Sequence, residues 1–325
     1  MRAAKKNIFF SILAVIATFV FVQNTNLFEE DNPTAQSRLL MAHRGIHQTF
    51  HREQMTKDTC TAARIITPSH HYIENTLPSI AAAFKAGATM VELDIRITKD
   101  KKLAVFHDDT LNCRTNGTGK PWQYTMAELK TLDIAYGYTA DQGKSFPLRG
   151  KGVGMMPSLK EVLATFPTQS FLINVKTRNP LNGDLLATLL KNRTPEQNNN
   201  IIVYGGGGAP TKRLRELMPE IRSFTRVSVK TCVRNYLLFS WTGVVPQACK
   251  NTAIMVPMDY AYLLWGWPQR FVQRMNSHNT EVFLMPSYQA MMSFGGGIDS
   301  KALIDKIPPH YHGGIWTNRI EIFND

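Results

Sequence analysis

From residue 39 onward, short apolar runs rich in branched side chains alternate with amphipathic stretches. Nine runs read as strands: LLMAHR (39–44), MVELDIR (90–96), KLAVFHD (102–108), FLINVK (171–176), IIVYG (201–205), IRSFTR (221–226), AIMVPM (253–258), EVFLMP (281–286) and GGIWTN (313–318). Between many of them lie segments with helical spacing of apolar residues, namely 76–87, 158–166, 184–193, 211–218, 268–276 and 299–307. Strand followed by helix, repeated, predicts an α/β fold whose parallel sheet is covered by helices. Eight repeats would close a barrel, so one of the nine runs is an edge piece or not a strand. Two long loops interrupt the rhythm, residues 48–73 and 135–157, and loops of that length in a compact fold usually carry function. The GGGG at 205–208 reads as a strand-to-helix turn, and RGKGVG at 149–154 is not a dinucleotide motif because no strand leads into it.

The run MVELDIRIT (90–98) breaks its own apolar pattern with Glu92 and Asp94. Side chains two apart in a strand leave the same face, so both carboxylates emerge together. Two like charges side by side are unfavourable unless a cation or a shared proton compensates them. A salt-bridged pair is the plain reading and a divalent metal the sharper one.

Before residue 39 the pattern is different. MRAAKK is positive and residues 8–22, IFFSILAVIATFVFV, carry no charge, which describes an export signal or an anchor. QNTNLFEE, which follows, shows no small-residue cleavage site, so residues 1–28 are expected to be a retained signal anchor, with a cleaved signal peptide as the alternative. Arg2, Lys5 and Lys6 would stay in the cytoplasm and residues 39–325, one domain, would lie at the periplasmic or extracellular face. Cys60, Cys113, Cys232 and Cys249 suit that compartment, and an even count predicts two disulfides in one of three pairings. None of them has zinc-site spacing. The net charge is +12, and +9 without the three leader cations, which would attract anionic lipid headgroups, phosphates or nucleic acid, or simply make a soluble basic surface; no basic helix or aromatic-studded strand singles out nucleic acid. The loop histidines His47, His51, His70 and His71 match no established ligand spacing.

In a barrel of parallel strands, reactive groups sit at the C-terminal strand ends. His43 and Arg44, His107 and Asp108, Asn174 and Lys176, and Asn318 and Arg319 all occupy such ends, and Glu74 opens a helix after the first long loop. Taken in order, HRG (43–45), ENT (74–76), ELD (92–94) and HD (107–108) followed by LNCRT, with the later PSLKEVL and WTNR, resemble the glycerophosphodiester phosphodiesterase family over most of residues 39–320. The resemblance implies a single-domain TIM (β/α)8 barrel, with the long loops inserted at its C-terminal face. It also implies metal-dependent hydrolysis of a glycerophosphodiester to sn-glycerol 3-phosphate and an alcohol.

By the same resemblance, Glu74, Glu92 and Asp94 would hold the metal, and oxygen ligation suits Mg²⁺ or Ca²⁺. His43 and His107 would be general base and general acid, and Arg44 and Lys176 would hold the phosphate oxygens. One position departs from the family pattern: its strand usually reads Glu-x-Lys, and here Asn174 replaces the glutamate. An amide oxygen still ligates a hard cation, but the site loses a negative charge. The substrate would be a small glycerophosphodiester; the alternatives are a lysophospholipase D acting on a lysophospholipid and a membrane-tethered, non-catalytic phosphodiester-binding protein. The aromatic stretch DYAYLLWGWP (259–268) would either line the mouth or simply pack.

Overall fold

The structure is a computed structural model and describes residues 2–27, 39–56, 59–292 and 295–323. All nine expected strands form: β1 (Leu40–His43), β2 (Met90–Ile97), β3 (Leu103–Val105), β4 (Ser170–Val175), β5 (Ile201–Gly205), β6 (Arg222–Phe224), β7 (Thr252–Pro257), β8 (Thr280–Met285) and β9 (Gly314–Thr317). Eight of them are parallel neighbours in the order β6-β5-β4-β2-β1-β9-β8-β7, a nearly closed barrel with helices outside. At the seam, Thr252 Oγ1 donates to the Ser223 carbonyl, 3.0 Å away, so β7 meets β6 through a side chain.

The ninth run is the edge piece. β3 pairs antiparallel with the far end of β2, Ile95 opposite Val105 and Ile97 opposite Leu103. The amide of Phe106 then donates to the Asp94 carbonyl at 2.9 Å, which brings the following His107 beside the acids of β2.

The pleat sorts the side chains into two cores. Val91, Leu93 and Ile95, with Phe171, Ile173 and Val175, face outward onto Ile80, Leu159, Val162, Leu186 and Leu214 of the surrounding helices. Met41, Met90, Leu172, Ile202, Phe283 and Trp316 fill the barrel interior. Residues two further along the interior face are His43, Glu92, Asn174 and Tyr204. Apolar packing thus floors a polar layer at the C-terminal strand ends.

Helix starts are specified locally. Thr76 caps the helix Leu77–Lys85 through the Ser79 amide, and Ser158 with Glu161 makes a capping box for Leu159–Thr165. The four glycines at 205–208 all have positive φ and turn β5 into the helix Ala209–Leu217, as expected. A Cβ on Gly205 would stand 2.4 Å from Asn174 Oδ1, so the glycine also leaves room for that side chain.

Both disulfides are present, Cys60–Cys113 and Cys232–Cys249. The first ties the long loop after β1 to the segment after β3. Among the described residues one helix is long and apolar enough to cross a membrane, Lys6–Asn24 within Arg2–Asn24, with mean hydropathy 1.8 and none of its residues fully buried. The boundary expected between residues 28 and 39 falls outside the described residues.

Candidate active site

His43 closes β1 and lies opposite Glu92 in the register of β1 and β2. Its Nδ1 is 2.7 Å from Asn318 Oδ1. The amide nitrogen of Asn318 donates to the Gly295 carbonyl (3.0 Å) and to Asp299 Oδ2 (2.8 Å), which leaves Oδ1 as the acceptor. His43 therefore carries its proton on Nδ1 and keeps a lone pair on Nε2. That nitrogen faces Glu92 Oε2 at 3.7 Å. Burial first, then Arg44 and His47, hold the His43 pKa well below the ordinary histidine value, so it is neutral at pH 7.

The chain turns sharply after β1. Arg44 adopts a φ of 60° and Gly45 one of 77°, and a Cβ on Gly45 would meet Ser79 Oγ at 2.3 Å. This turn directs the Arg44 guanidinium back over the sheet, where Nη1 donates to Glu74 Oε1 (3.0 Å) and Nε lies 3.2 Å from Asp94 Oδ2. Arg114 takes the other oxygen of Glu74 at 2.9 Å and donates through Nε to Asp108 Oδ2 at 2.9 Å. Asp108 Oδ1 in turn sits 2.7 Å from His107 Nδ1. Lys176 Nζ lies 3.5 Å from Asp94 Oδ1. Charges alternate without a break from Asp108 through Arg114, Glu74 and Arg44 to Asp94 and Lys176.

Glu92 and Asp94 do leave one face of β2 together, both fully buried. Their surroundings differ. Asp94 accepts from Asn75 Nδ2 (3.1 Å) and Asn174 Nδ2 (3.0 Å), and Lys176 and Arg44 outweigh its burial to hold it well below the usual carboxylate range. Glu92 receives only the Tyr204 hydroxyl, 2.8 Å from Oε1, and Oε2 has no hydrogen-bond partner. Burial, then the charge of Asp94, pushes Glu92 up to about 8. Without a cation, the proton of this pair rests on Glu92.

A buried carboxylate oxygen without a partner, beside a second carboxylate, is an arrangement that a cation completes, and the donor set of carboxylates and an amide is a hard one. Of the four residues expected at a metal, Glu92, Asp94 and Asn174 share the interior face, whereas both oxygens of Glu74 are taken by Arg44 and Arg114. Asn174 presents its NH₂ to Asp94; turning the amide over would present its oxygen instead. Among the described residues no group of three His, Cys, Asp or Glu side chains is arranged to hold a metal ion.

The remaining expectations sort clearly. His107 and Lys176 reach the site; Arg319 turns away to pair with Glu321. Burial first, then Arg44, pushes His107 down to about 4. Of the loop histidines only His47 joins, its Nε2 3.3 Å from Asn318 Oδ1, while Gln48 bridges to His70 and both His51 and His71 are exposed. In the aromatic stretch, Trp265 and Trp267 pack against the core and Tyr260 and Tyr262 are exposed. The sequence assigns no role to Arg114, Asn75, Tyr204 or Asp299; Asn75 lies within ENT, Arg114 lies within LNCRT, Tyr204 ends a strand and Asp299 opens a helical segment, which are the signals they give.

The model of the glycerophosphoryl diester phosphodiesterase family matches residues 43–205, half of the chain and the part that carries His43, the acids, His107 and Lys176. The chain belongs to this family. Glycerophosphodiester phosphodiesterases of Bacillus altitudinis and Bacillus subtilis (strain 168) are 36% identical over 112 residues and 34% over 142. These matches take in 34% and 40% of the chain, and 42% and 47% of the two relatives, so the chain spans less than half of either. Among solved structures, the family's barrel recurs in a glycerophosphodiester phosphodiesterase from Agrobacterium tumefaciens, with TM-score 0.57 and 20% identity over 88% of this chain and 99% of that one. A phosphodiesterase from Oleispira antarctica, solved with the product sn-glycerol-3-phosphate, gives TM-score 0.55 and 17% identity over 88% and 94%.

Proposed function

We propose that residues 39–325 form a metal-dependent phosphodiesterase that hydrolyses glycerophosphodiesters to sn-glycerol 3-phosphate and an alcohol. The observation that carries this reading is the opposition of a neutral His43 Nε2 to the unpartnered oxygen of Glu92, at the strand ends where the family match lies. Membership of the family and the product named for the Oleispira antarctica relative support the substrate class. Glu92 and Asp94, with the Asn174 amide, would hold one Mg²⁺ or Ca²⁺. Such an ion offsets charge that builds on the phosphoryl oxygens.

The chain's own residues divide the remaining work. Arg44, fixed by Glu74, and Lys176 bind the anionic phosphodiester and hold it over the acids. His43 Nε2 accepts a proton from the attacking oxygen while Asn318 retains the proton on Nδ1. His107 gives a proton to the leaving alcohol from Nε2, with Asp108 fixing the opposite nitrogen. Burial and Arg44 alone would leave His107 neutral at pH 7, and the charge of a bound phosphodiester raises its pKa toward the range a general acid needs. Glu74 serves here as the anchor of Arg44 and Arg114. The apolar N-terminal helix and the two disulfides support an exported domain held at the membrane by residues 6–24.

The test is release of glycerol 3-phosphate from glycerophosphocholine and glycerophosphoethanolamine, with chelator and then with Mg²⁺ or Ca²⁺ restored, beside a Glu92→Ala, Asp94→Ala control. Turnover that follows the metal and vanishes in the control is expected. Turnover on lysophospholipids alone would shift the reading to a lysophospholipase D. Binding without turnover on any diester would make Asn174 the mark of a non-catalytic binding protein.

A further inference from the structure

The end of the apolar N-terminal helix is fastened to the barrel by a polar clasp. Arg270 Nη1 donates to the Gln23 carbonyl at 3.0 Å, and Arg274 donates to the Gln23 carbonyl (2.5 Å) and to Asn24 Oδ1 (3.1 Å). These guanidiniums satisfy carbonyls that a helix leaves open at its C-terminus and suit its negative dipole end. Asn24 Nδ2 donates to the Trp241 carbonyl (2.9 Å) and Asn26 Nδ2 to the Trp267 carbonyl (2.8 Å). The level of the barrel surface at which the helix leaves is thereby fixed at Trp241.

That same level carries an exposed apolar patch. Leu238, Phe239 and Val244 are 58%, 59% and 63% exposed, and Trp241 is partly exposed among them. They end and follow the helix Arg226–Phe239, on which Arg226, Lys230, Arg234 and Leu238 are all exposed at four-residue spacing, one line along its outer face. A cationic ridge that runs into an apolar tip beside the end of a membrane-length helix has the order of groups found at a lipid interface: apolar and aromatic side chains at the boundary, cations among the headgroups.

We propose that this face of the barrel lies on an anionic lipid bilayer, with Leu238, Phe239, Trp241 and Val244 at the headgroup boundary and Arg226, Lys230 and Arg234 against the headgroups. The proposal rests on residues 6–24 being a retained anchor. Trp265 Nε1 donates to the Leu237 carbonyl, so the loop that follows β7, with its exposed Tyr262 and Leu263, is fastened to the same surface. Because that loop leaves a C-terminal strand end, the bilayer-facing surface reaches the rim on which the candidate active site opens.

The experiment uses the full chain reconstituted into vesicles whose acyl chains are brominated near the headgroups, with tryptophan emission compared between wild type and Trp241→Phe. Alkaline extraction reports the anchor separately. The expected result is that the chain resists extraction and that the emission lost in Trp241→Phe is quenched at least about twofold by brominated lipid, as for a tryptophan at the interface. The quenching is expected to be stronger with anionic lipid, an increment lost when Arg226, Lys230 and Arg234 are changed to Gln. Placing a tryptophan nearby, Leu238→Trp on the Trp241→Phe background, should restore the quenched component even if the single variant is poorly folded. A chain that stays with the bilayer while neither position is quenched overturns the docked face and leaves the anchor standing. Extraction of the chain overturns both. Shielding of Trp241 together with chemical cross-linking of two copies would assign the patch to a dimer instead.

Discussion

Glu92 makes the sharpest statement about pH. Its folded pKa, about 8, stands above the ordinary glutamate value of 4.5, so the folded chain holds the proton more tightly than the unfolded one. Its contribution to stability is fully present below 4.5 and is lost as pH rises through 8. Neutral, buried His43, His47 and His107 act in the opposite sense, but their pKa values are lowered, so that contribution is nearly complete by about pH 6.5. In chelator, the melting temperature of wild type is therefore expected to fall relative to Glu92→Gln between pH 6.5 and 8, and Mg²⁺ or Ca²⁺ to raise it more at pH 8, where less proton must be displaced. Parallel pH profiles of the two proteins would show that Glu92 is ionised throughout. A second residue acts at one remove: Asp299 accepts the Asn318 amide and the backbone amides of Asn318 and Gly297, and so fixes the oxygen that sets the His43 tautomer. Asp299→Ala is expected to lower kcat roughly 10- to 100-fold, part of what a positioned general base contributes, to leave KM nearly unchanged, and to shift the acid limb of the pH profile. An unchanged acid limb with KM raised in step would assign Asp299 to folding of the loop alone. Reading along the chain finds His43, Glu92, Asp94 and His107 because strand ends and period-two spacing mark them. It does not find Arg114 on Glu74 or Asp299 on Asn318, because such pairs join distant loops and leave no local period.

At the scale of elements, the two disulfides are expected to separate stability from activity. Cys60–Cys113 spans 53 residues and Cys232–Cys249 spans 17, which on a chain-entropy basis stabilise by about 4 and about 3 kcal/mol. Only the first neighbours the charge chain, since Arg114 follows Cys113 and its Nη2 donates to Thr61 Oγ1 at 2.6 Å. Replacing Cys60 and Cys113 by Ser should lower both the melting temperature and kcat/KM, whereas replacing Cys232 and Cys249 should lower the melting temperature and leave kcat/KM near wild type. Equal losses of kcat/KM in the two variants would show that the first loop is held by its side chains without the bridge. The sequence leaves three pairings open because each cysteine lies in a different segment; the fold closes the choice by bringing Thr61 to Arg114. The connection between β2 and β3 teaches the converse. A parallel crossover needs a dozen or more residues, and only residues 98–102 join these strands, so a hairpin is the sole connection that fits. That spacing was legible, and it identifies KLAVFHD as the strand outside the barrel.

For the whole molecule, alternation of apolar runs and amphipathic segments is enough to place every barrel strand, because each buried parallel strand must be apolar on both faces while the helices need only one. What alternation does not convey is how tightly the ring closes. β6 is three residues long, and the seam beside it is crossed by Thr252 Oγ1 to the Ser223 carbonyl where the other neighbours have backbone ladders. β2, by contrast, is eight residues long and pairs with β1, β3 and β4. Edges with backbone groups outside a ladder open at lower free energy than strands paired on both sides. Native-state hydrogen exchange should therefore run fastest among barrel amides in β6 and on the seam side of β7, and slowest in β2 and β4. Thr252→Val, which removes the hydroxyl and keeps the shape, should speed exchange at the seam and leave β2 unchanged. Equal protection around the ring would mean that packing of the interior side chains, Phe224 and Ala253 among them, holds β6 and β7 together without the hydrogen bond. Glu92 and Asp94 lie on the slow side of that division, and a centre that must hold two buried carboxylates at fixed separation is best carried by the strand least able to open.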